Sequence, residues 1–236
     1  MKRTVIITGG TKGLGREMSL AFGRKGYFVM ALYASDDVAA QQLRVSLNEI
    51  NADGCVVRHD ASSEDASIWN RPEIQDAGSL TLIHNACAPF SPAPMHQLRW
   101  QDFESNFNVA VKAGWLCSQA LIRLMLKQGH GTIVNILTSA IEECPPKGFA
   151  AYVTAKHALR GFTLALAAEY AARGVRVFSV SPGFMDTPLT GQWDDRMRAA
   201  IRAAATRVTI PSEASARIVE LVESKSVAGQ GENYPV

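Results

Sequence analysis

R-T-V-I-I-T-G-G-T-K-G-L-G, residues Arg3–Gly15, sets a short apolar run directly against a glycine-rich turn. Val5, Ile6 and Ile7 carry no charge, which suits a strand buried on both faces of a parallel sheet. The run stops at Thr8-Gly9. Gly9, Gly13 and Gly15 then punctuate a turn that opens into Leu14, Met18, Leu20, Ala21 and Phe22, spaced as one face of a helix. Strand, turn and helix in that order aim unpaired N–H groups and the positive end of a helix dipole at the strand's exit. That is an anion site, and glycine lets a pyrophosphate approach the backbone. The spacing is G-x-x-x-G-x-G and not the commoner G-x-G-x-x-G, so a merely flexible turn is the alternative reading.

The 236 residues are 47% apolar and suit one domain over 1–236 with a single large core. Net charge is +2 with both signs interspersed, which offers no nucleic-acid or membrane surface. No uninterrupted apolar run nears the roughly 18 residues that span a bilayer. The first apolar run is too short for a signal peptide and reads as a strand. Cys55, Cys87, Cys117 and Cys144 are widely spaced, without C-x-x-C, and read as reduced thiols in a cytoplasm, with no metal site.

Further strands are expected at Tyr27–Leu32, Cys55–Val57, Leu80–Ile83, Thr132–Leu137, Val175–Val180 and within Gly229–Val236. Helices are expected from Ser35-Asp36-Asp37 to about Ala52, over about 101–128, over about 151–173, and after a Ser212 cap. Seven strands alternating with about six helices predict an α/β fold, a single-domain Rossmann-type doubly wound parallel sheet with helices on both faces. Ligands of such sheets bind beyond the carboxyl ends of the strands. Thr8–Gly15, Asp60, Asn85, Thr138/Ser139 and Ser181–Thr187 all follow strand ends and converge on one edge.

An acid at the end of the second strand would grip a ribose 2′-hydroxyl and repel a 2′-phosphate. That end is Leu32-Tyr33, and neither is acidic; Asp36 and Asp37 read as dipole partners of the next helix. Lys12 in the turn and Arg16 beyond it add positive charge, so NADP(H) is favoured over NAD(H), although Lys12 also reads as an ordinary exposed lysine. Tyr152 and Lys156 lie one helical turn apart on one face. An ammonium within roughly 4–6 Å lowers a phenol's pKa toward a usable base. The bland reading is a helix tyrosine beside a surface lysine.

Together these stretches resemble the short-chain dehydrogenase/reductase family over nearly the whole chain, and most nearly its 3-oxoacyl-(acyl-carrier-protein) reductase-like branch, including the terminal G-Q-G-E-N-Y-P-V. Thr8–Gly15 resembles the family's T-G-x-x-x-G-x-G turn, Asn85-Ala86 its N-A strand end, Tyr152/Lys156 its active pair, and Ser181-Pro182-Gly183 with Thr187 its nicotinamide seat. The resemblance implies catalytic Ser139, Tyr152 and Lys156, with Tyr152 as general acid/base, Lys156 tuning it and holding the nicotinamide ribose. It implies a cofactor site from Thr8, Gly9, Thr11, Lys12, Gly13, Leu14, Gly15, Tyr33, Asp60, Ala61, Asn85, Ala86, Tyr152, Lys156, Pro182, Gly183 and Thr187. Ketone and secondary alcohol would be interconverted, on a small-molecule substrate that a carrier can present. Residues 187–207, with Trp193, Met197 and arginines 196, 198, 202 and 207, would cover that substrate; the arginines would meet an anionic carrier or form a solvated face. A homodimer or homotetramer is implied by analogy.

Three departures stand out. Ala110 occupies the family's asparagine position in the long fourth helix, and neither Asn106 nor Asn108 lies on the same spot of the helix surface. Counting back from Tyr152 makes Ser139 the catalytic hydroxyl, whereas counting from Asn135 makes it Thr138. His84 and Cys87 flank Asn85-Ala86, the histidine reading as a satisfied strand-end group and the cysteine as filler. The alternative function is a cofactor-binding regulatory or structural protein of this fold with degenerate catalysis.

Overall fold

A computed structural model describes residues 2–142, 144–224 and 229–236. In it Arg3–Thr8 (β1) leads through the glycine turn to Gly13–Arg24 (α1), then Phe28–Tyr33 (β2), Asp37–Glu49 (α2) and Gly54–Arg58 (β3). Pro72–Gln75 (α3), Ser79–His84 (β4), Trp100–Phe107 (α4), Ala113–Gln128 (α5) and Gly131–Ile136 (β5) follow. Ala150–Tyr170 (α6), Val175–Ser181 (β6), Asp195–Ala204 (α7), Pro211–Glu223 (α8) and Gln230–Pro235 (β7) complete it. The seven strands form one parallel sheet in the order β3-β2-β1-β4-β5-β6-β7. After β3 the chain returns to the far side of β1, so the strand order reverses between β1 and β4. A crevice opens at such a switch point.

The uncharged β1 is a consequence of burial on both faces. Val5 and Ile7 join Phe22, Leu43 and Ile218 from α1, α2 and α8 on one side. Ile6, between them, joins Leu121, Met125 and Leu166 from α5 and α6 on the other.

Local chemistry sets the element ends. Asp36 is the N-cap of α2, its carboxylate accepting the Ala39 N–H at 2.9 Å. The expected Ser212 cap is displaced by Pro211, which takes the first helical position of α8 with its preset φ. Gly174, at φ 85°, closes the turn after α6. The helix expected over 101–128 is α4 and α5 joined by a π-helical turn, Asn108–Lys112. By length and composition Trp100–Gln128 could cross a bilayer. Its apolar content instead meets the sheet, where Ala113, Cys117, Leu121 and Met125 have no exposure.

Candidate active site

The turn after β1 needs its glycines. Gly9 and Gly13 have φ of 61° and 51°, and a Cβ on Gly15 would lie 2.0 Å from the Gly9 carbonyl oxygen. Ser19 ties the turn down, its hydroxyl 2.9 Å from the carbonyls of Gly10 and Gly15. No side chain caps the first turn of α1 and no acid lies in it. Its N–H groups and dipole therefore face the cleft without a protein anion, the donor set a pyrophosphate fits.

The cleft at the switch point is lined by Gly9, Thr11, Lys12, Gly13, Leu14, Gly15, Tyr33, Asn85, Ala86, Tyr152, Lys156 and Thr187 among the expected residues. The sequence reading missed Ala34, Ser35, Asp36, Pro89, Ile136, Leu137, Met185, Pro188, Leu189 and Gln192 there. Most of these lie within a few residues of a strand's carboxyl end, the one signal that could have marked them.

Thr8 is fully buried and acts beneath the cleft. Its hydroxyl accepts the Asn85 and Ala86 N–H groups at 3.0 Å each, while Asn85 Nδ2 donates to the carbonyls of Thr8 and Gly9. These bonds lock the exits of β1 and β4 together. His84 completes the clasp. Its Nε2 lies 2.9 Å from the Ala110 carbonyl, which can only accept, so Nε2 carries the proton and Nδ1 accepts from the Thr8 hydroxyl at 3.2 Å. Burial, then the nearby Lys156 charge, pulls its pKa down to about 4, so the ring is neutral.

Asp60 and Ala61 are not part of the lining. Asp60 instead accepts the N–H and hydroxyl of Ser62, and Ala61 is buried in the core. Pro182 and Gly183 also stand back. The Pro182 carbonyl accepts the Ser139 N–H at 2.8 Å, and Gly183 packs so closely that a Cβ would sit 2.3 Å from the Arg207 carbonyl. Lys12 pairs with Asp36 at 2.9 Å, and the Tyr33 hydroxyl donates to Asp37 at 2.8 Å. Asp36 is thus a cleft residue as well as a helix cap.

On α6 the Lys156 ammonium is 3% exposed, donates to the Ile136 carbonyl at 2.7 Å and lies 5.8 Å from the Tyr152 ring. Burial lowers its pKa. The lowering of the tyrosine expected from this neighbour is not observed. Burial pushes the Tyr152 phenol up, the Cys87 thiol beside it adds to that, and a hydrogen bond with Thr138 opposes it. Desolvation is the largest cause, and the phenol keeps its proton at neutral pH. Thr138 and Ser139 both line, with Tyr152, a second cavity, and the Thr138 hydroxyl acts on the phenol. Burial also pushes the Cys87 thiol up, which suits filler and not a nucleophile.

That second cavity shares Tyr152, Met185, Thr187 and Leu189 with the cleft and is roofed by Phe90, Phe149 and Trp193. Phe90 stacks on Tyr152 at 4.6 Å with 11° between planes, and the Trp193 indole N–H donates to the Phe90 carbonyl at 2.7 Å. Phe90 is a further residue that local sequence did not single out.

Fold and cleft define a dinucleotide-binding oxidoreductase. The short chain dehydrogenase family model matches residues 3–198, and the chain belongs to that family. It is similar to the "Uncharacterized oxidoreductase YohF" of Escherichia coli (31% identity; 84% of this chain, 79% of that protein). It is also similar to the 3-oxoacyl-(acyl-carrier-protein) reductase FabG of Staphylococcus aureus (25%; 84% and 80%). Among solved structures it superposes on a putative NAD(P) dependent gluconate 5-dehydrogenase from Beutenbergia cavernae with bound NADP, at TM-score 0.83 and 26% identity, over 99% of this chain and 94% of that one.

Proposed function

We propose that this oxidoreductase is NADP(H)-dependent and interconverts a ketone and a secondary alcohol, with Tyr152 moving the proton at the substrate oxygen. One observation carries the reading: Tyr152 stands in the wall between the glycine-turn cleft and the aromatic cavity, facing both. The glycine turn would hold the pyrophosphate, Lys12 with Tyr33 the adenosine end, and Lys156 with Thr187 the nicotinamide end. When bound, the nicotinamide supplies or accepts the hydride. The phenol, protonated at neutral pH, would give its proton to the substrate oxygen in reduction, and in oxidation its phenolate form would take the proton of the alcohol. Thr138 acts on that phenol, and Thr138 and Ser139, which both line the cavity beside Tyr152, are the two strand-end hydroxyls open to the substrate oxygen.

Lys12 supports the cofactor choice despite its partner. The pair with Asp36 is exposed on both sides, and exposed ion pairs are weak, so the ammonium can exchange the carboxylate for a phosphate. Assembly as a homodimer or homotetramer is part of the proposal. Trp115 on α5 and Leu164 on α6 are each 47% exposed, and both helices pack on the same face of the sheet. The free thiols suit a reducing compartment such as the cytoplasm.

Tyr152→Phe tests the chemistry. It should keep NADPH binding and lose roughly 10²–10⁴-fold in ketone reduction; unchanged turnover refutes the assignment. A second reading, cofactor binding without efficient chemistry, rests on Ala110 and on a lysine committed to the Ile136 carbonyl. Wild-type protein that binds NADPH yet reduces no member of a ketone panel would favour it.

A further inference from the structure

We propose that the second cavity takes an uncharged compound built on a single apolar ring, an aryl or cyclic ketone or the matching alcohol, and rejects carboxylates, phosphates and polyols. This rests on the reading of Tyr152 above and names its substrate class. The described lining contains no Asp, Glu, Lys or Arg. Four rings form its wall as one cluster: Phe149 meets Tyr152 edge-on at 5.8 Å, and Trp193 meets Phe90 at 5.3 Å and Phe149 at 5.5 Å. Flat faces and edges at these separations favour a further ring, offset or edge-on.

Polarity in the lining is limited to uncharged groups, and several of these are already engaged. The Trp193 N–H is already given to the Phe90 carbonyl, and the Thr190 hydroxyl is engaged with the carbonyls of Met185 and Thr187. Thr138 and Ser139 lie at the Tyr152 end, and the other polar side chains of the lining are Thr187, Thr206 and Cys144, none of them charged. One oxygen is therefore satisfied at the Tyr152 end, and the rest of the ligand meets mostly carbon. The cavity volume is about 140 Å³, close to the ~150 Å³ in which an apolar cavity takes up a benzene-sized guest.

Charge nearby does not extend an invitation to anions. Arg198 pairs with Asp195 at 2.9 Å, Arg202 with Asp186 at 2.7 Å and Arg207 with Glu142 at 3.5 Å. The basic segment expected to meet an anionic carrier is thus largely neutralised by its own carboxylates. Taking a carboxylate into such a lining leaves it without a charged partner, and several hydroxyls would find fewer partners than in water.

The test is binding without turnover. NADP⁺ cannot reduce a ketone, so wild-type protein saturated with NADP⁺ is titrated calorimetrically with acetophenone, 4-acetylbenzoate and dihydroxyacetone. Acetophenone should bind at least about 30-fold tighter than either polar probe. Trp193→Ala should weaken it about tenfold or more with the NADP⁺ Kd unchanged, and Trp193→Phe should restore most of the loss. Equal or tighter binding of 4-acetylbenzoate or dihydroxyacetone overturns the proposal, as does no acetophenone binding or no response to Trp193→Ala. Failure of the hydride chemistry would instead appear as acetophenone that binds but is not reduced with NADPH, and would leave the cavity's selectivity standing.

Discussion

His84 places a ring that titrates at a buried strand end, and this has a consequence for acid stability. Its pKa falls from 6.5 to about 4 on folding because the neutral ring is buried between Thr8 and the Ala110 carbonyl. Between those values the unfolded chain binds a proton that the native one does not. Stability from this group is therefore complete above pH 6.5 and is lost as pH falls toward 4, by roughly 3 kcal/mol in all. His84→Gln keeps a donor and an acceptor but cannot titrate. The stability gap between wild type and variant, from urea unfolding at pH 7 and pH 4.5, should shrink by most of that amount on acidification; a gap independent of pH would show that His84 is not the group. Lys12 is the other residue whose charge has a readable effect. Lys12→Ala should weaken NADPH roughly tenfold, as expected for one charge-assisted hydrogen bond, and NADH much less. Asp36→Asn should shift selectivity the opposite way by freeing the ammonium. NADH binding equal to or tighter than NADPH in the wild type would defeat the cofactor assignment.

The glycine turn is the element on which both cavities depend, and it has no slack. Gly15→Ala would drive a methyl into the Gly9 carbonyl and the Asn85 side chain, where the neighbours are backbone and a bonded amide. Gly26 has a positive φ of 74° but nothing within 4 Å, so Gly26→Ala costs only backbone strain, about 1 kcal/mol. Gly15→Ala should cost about 3 kcal/mol or more and abolish NADPH binding; melting curves and titration of the two variants compare them directly, and equal effects would refute the steric account. This turn, β1 and the sequence of strand ends were legible because each is local: an apolar run, glycines at fixed spacing, a helix period. Other features depend on partners far along the chain. Trp193 reaches Phe90 across 103 positions, and no periodicity encodes that pairing. Asp36 was legible as a cap but not as a cleft residue, since its second role comes from Lys12 on another element. The choice between Thr138 and Ser139 turns on a single residue, because β5 ends at Ile136 and the chain then enters a tight turn at Ser139–Ile141. The π-helical turn at Asn108–Lys112 likewise has no pattern of its own; it places the Ala110 carbonyl against His84, so the departures at 84 and 110 meet in one hydrogen bond.

At the scale of the molecule, one helix face bears on the proposed assembly. Thr154, His157, Gly161, Leu164, Ala165 and Ala168 share the outer face of α6, all exposed and none an Asp, Glu, Lys or Arg. A glycine in the middle of a 21-residue helix costs about 1 kcal/mol relative to alanine. Gly161 has no packing reason for that cost within the chain, since a Cβ there would meet nothing within 4 Å. Small residues on an exposed apolar face allow a second helix to approach closely, which is the face through which the proposed homo-oligomer would form. Gly161→Arg separates the two explanations because they predict opposite changes. A solvated helix gains propensity from arginine, so an isolated chain would be slightly stabilised and keep its mass. An interface would be split by the bulk and charge, so the variant should run as a monomer by light scattering at concentrations where wild type is a dimer or tetramer, with a lower melting temperature that no longer depends on concentration. Val45→Asp, on α2 across the sheet and 46% exposed, should leave the mass unchanged. A wild-type monomer, or an assembly indifferent to Gly161→Arg, would remove α6 as the contact.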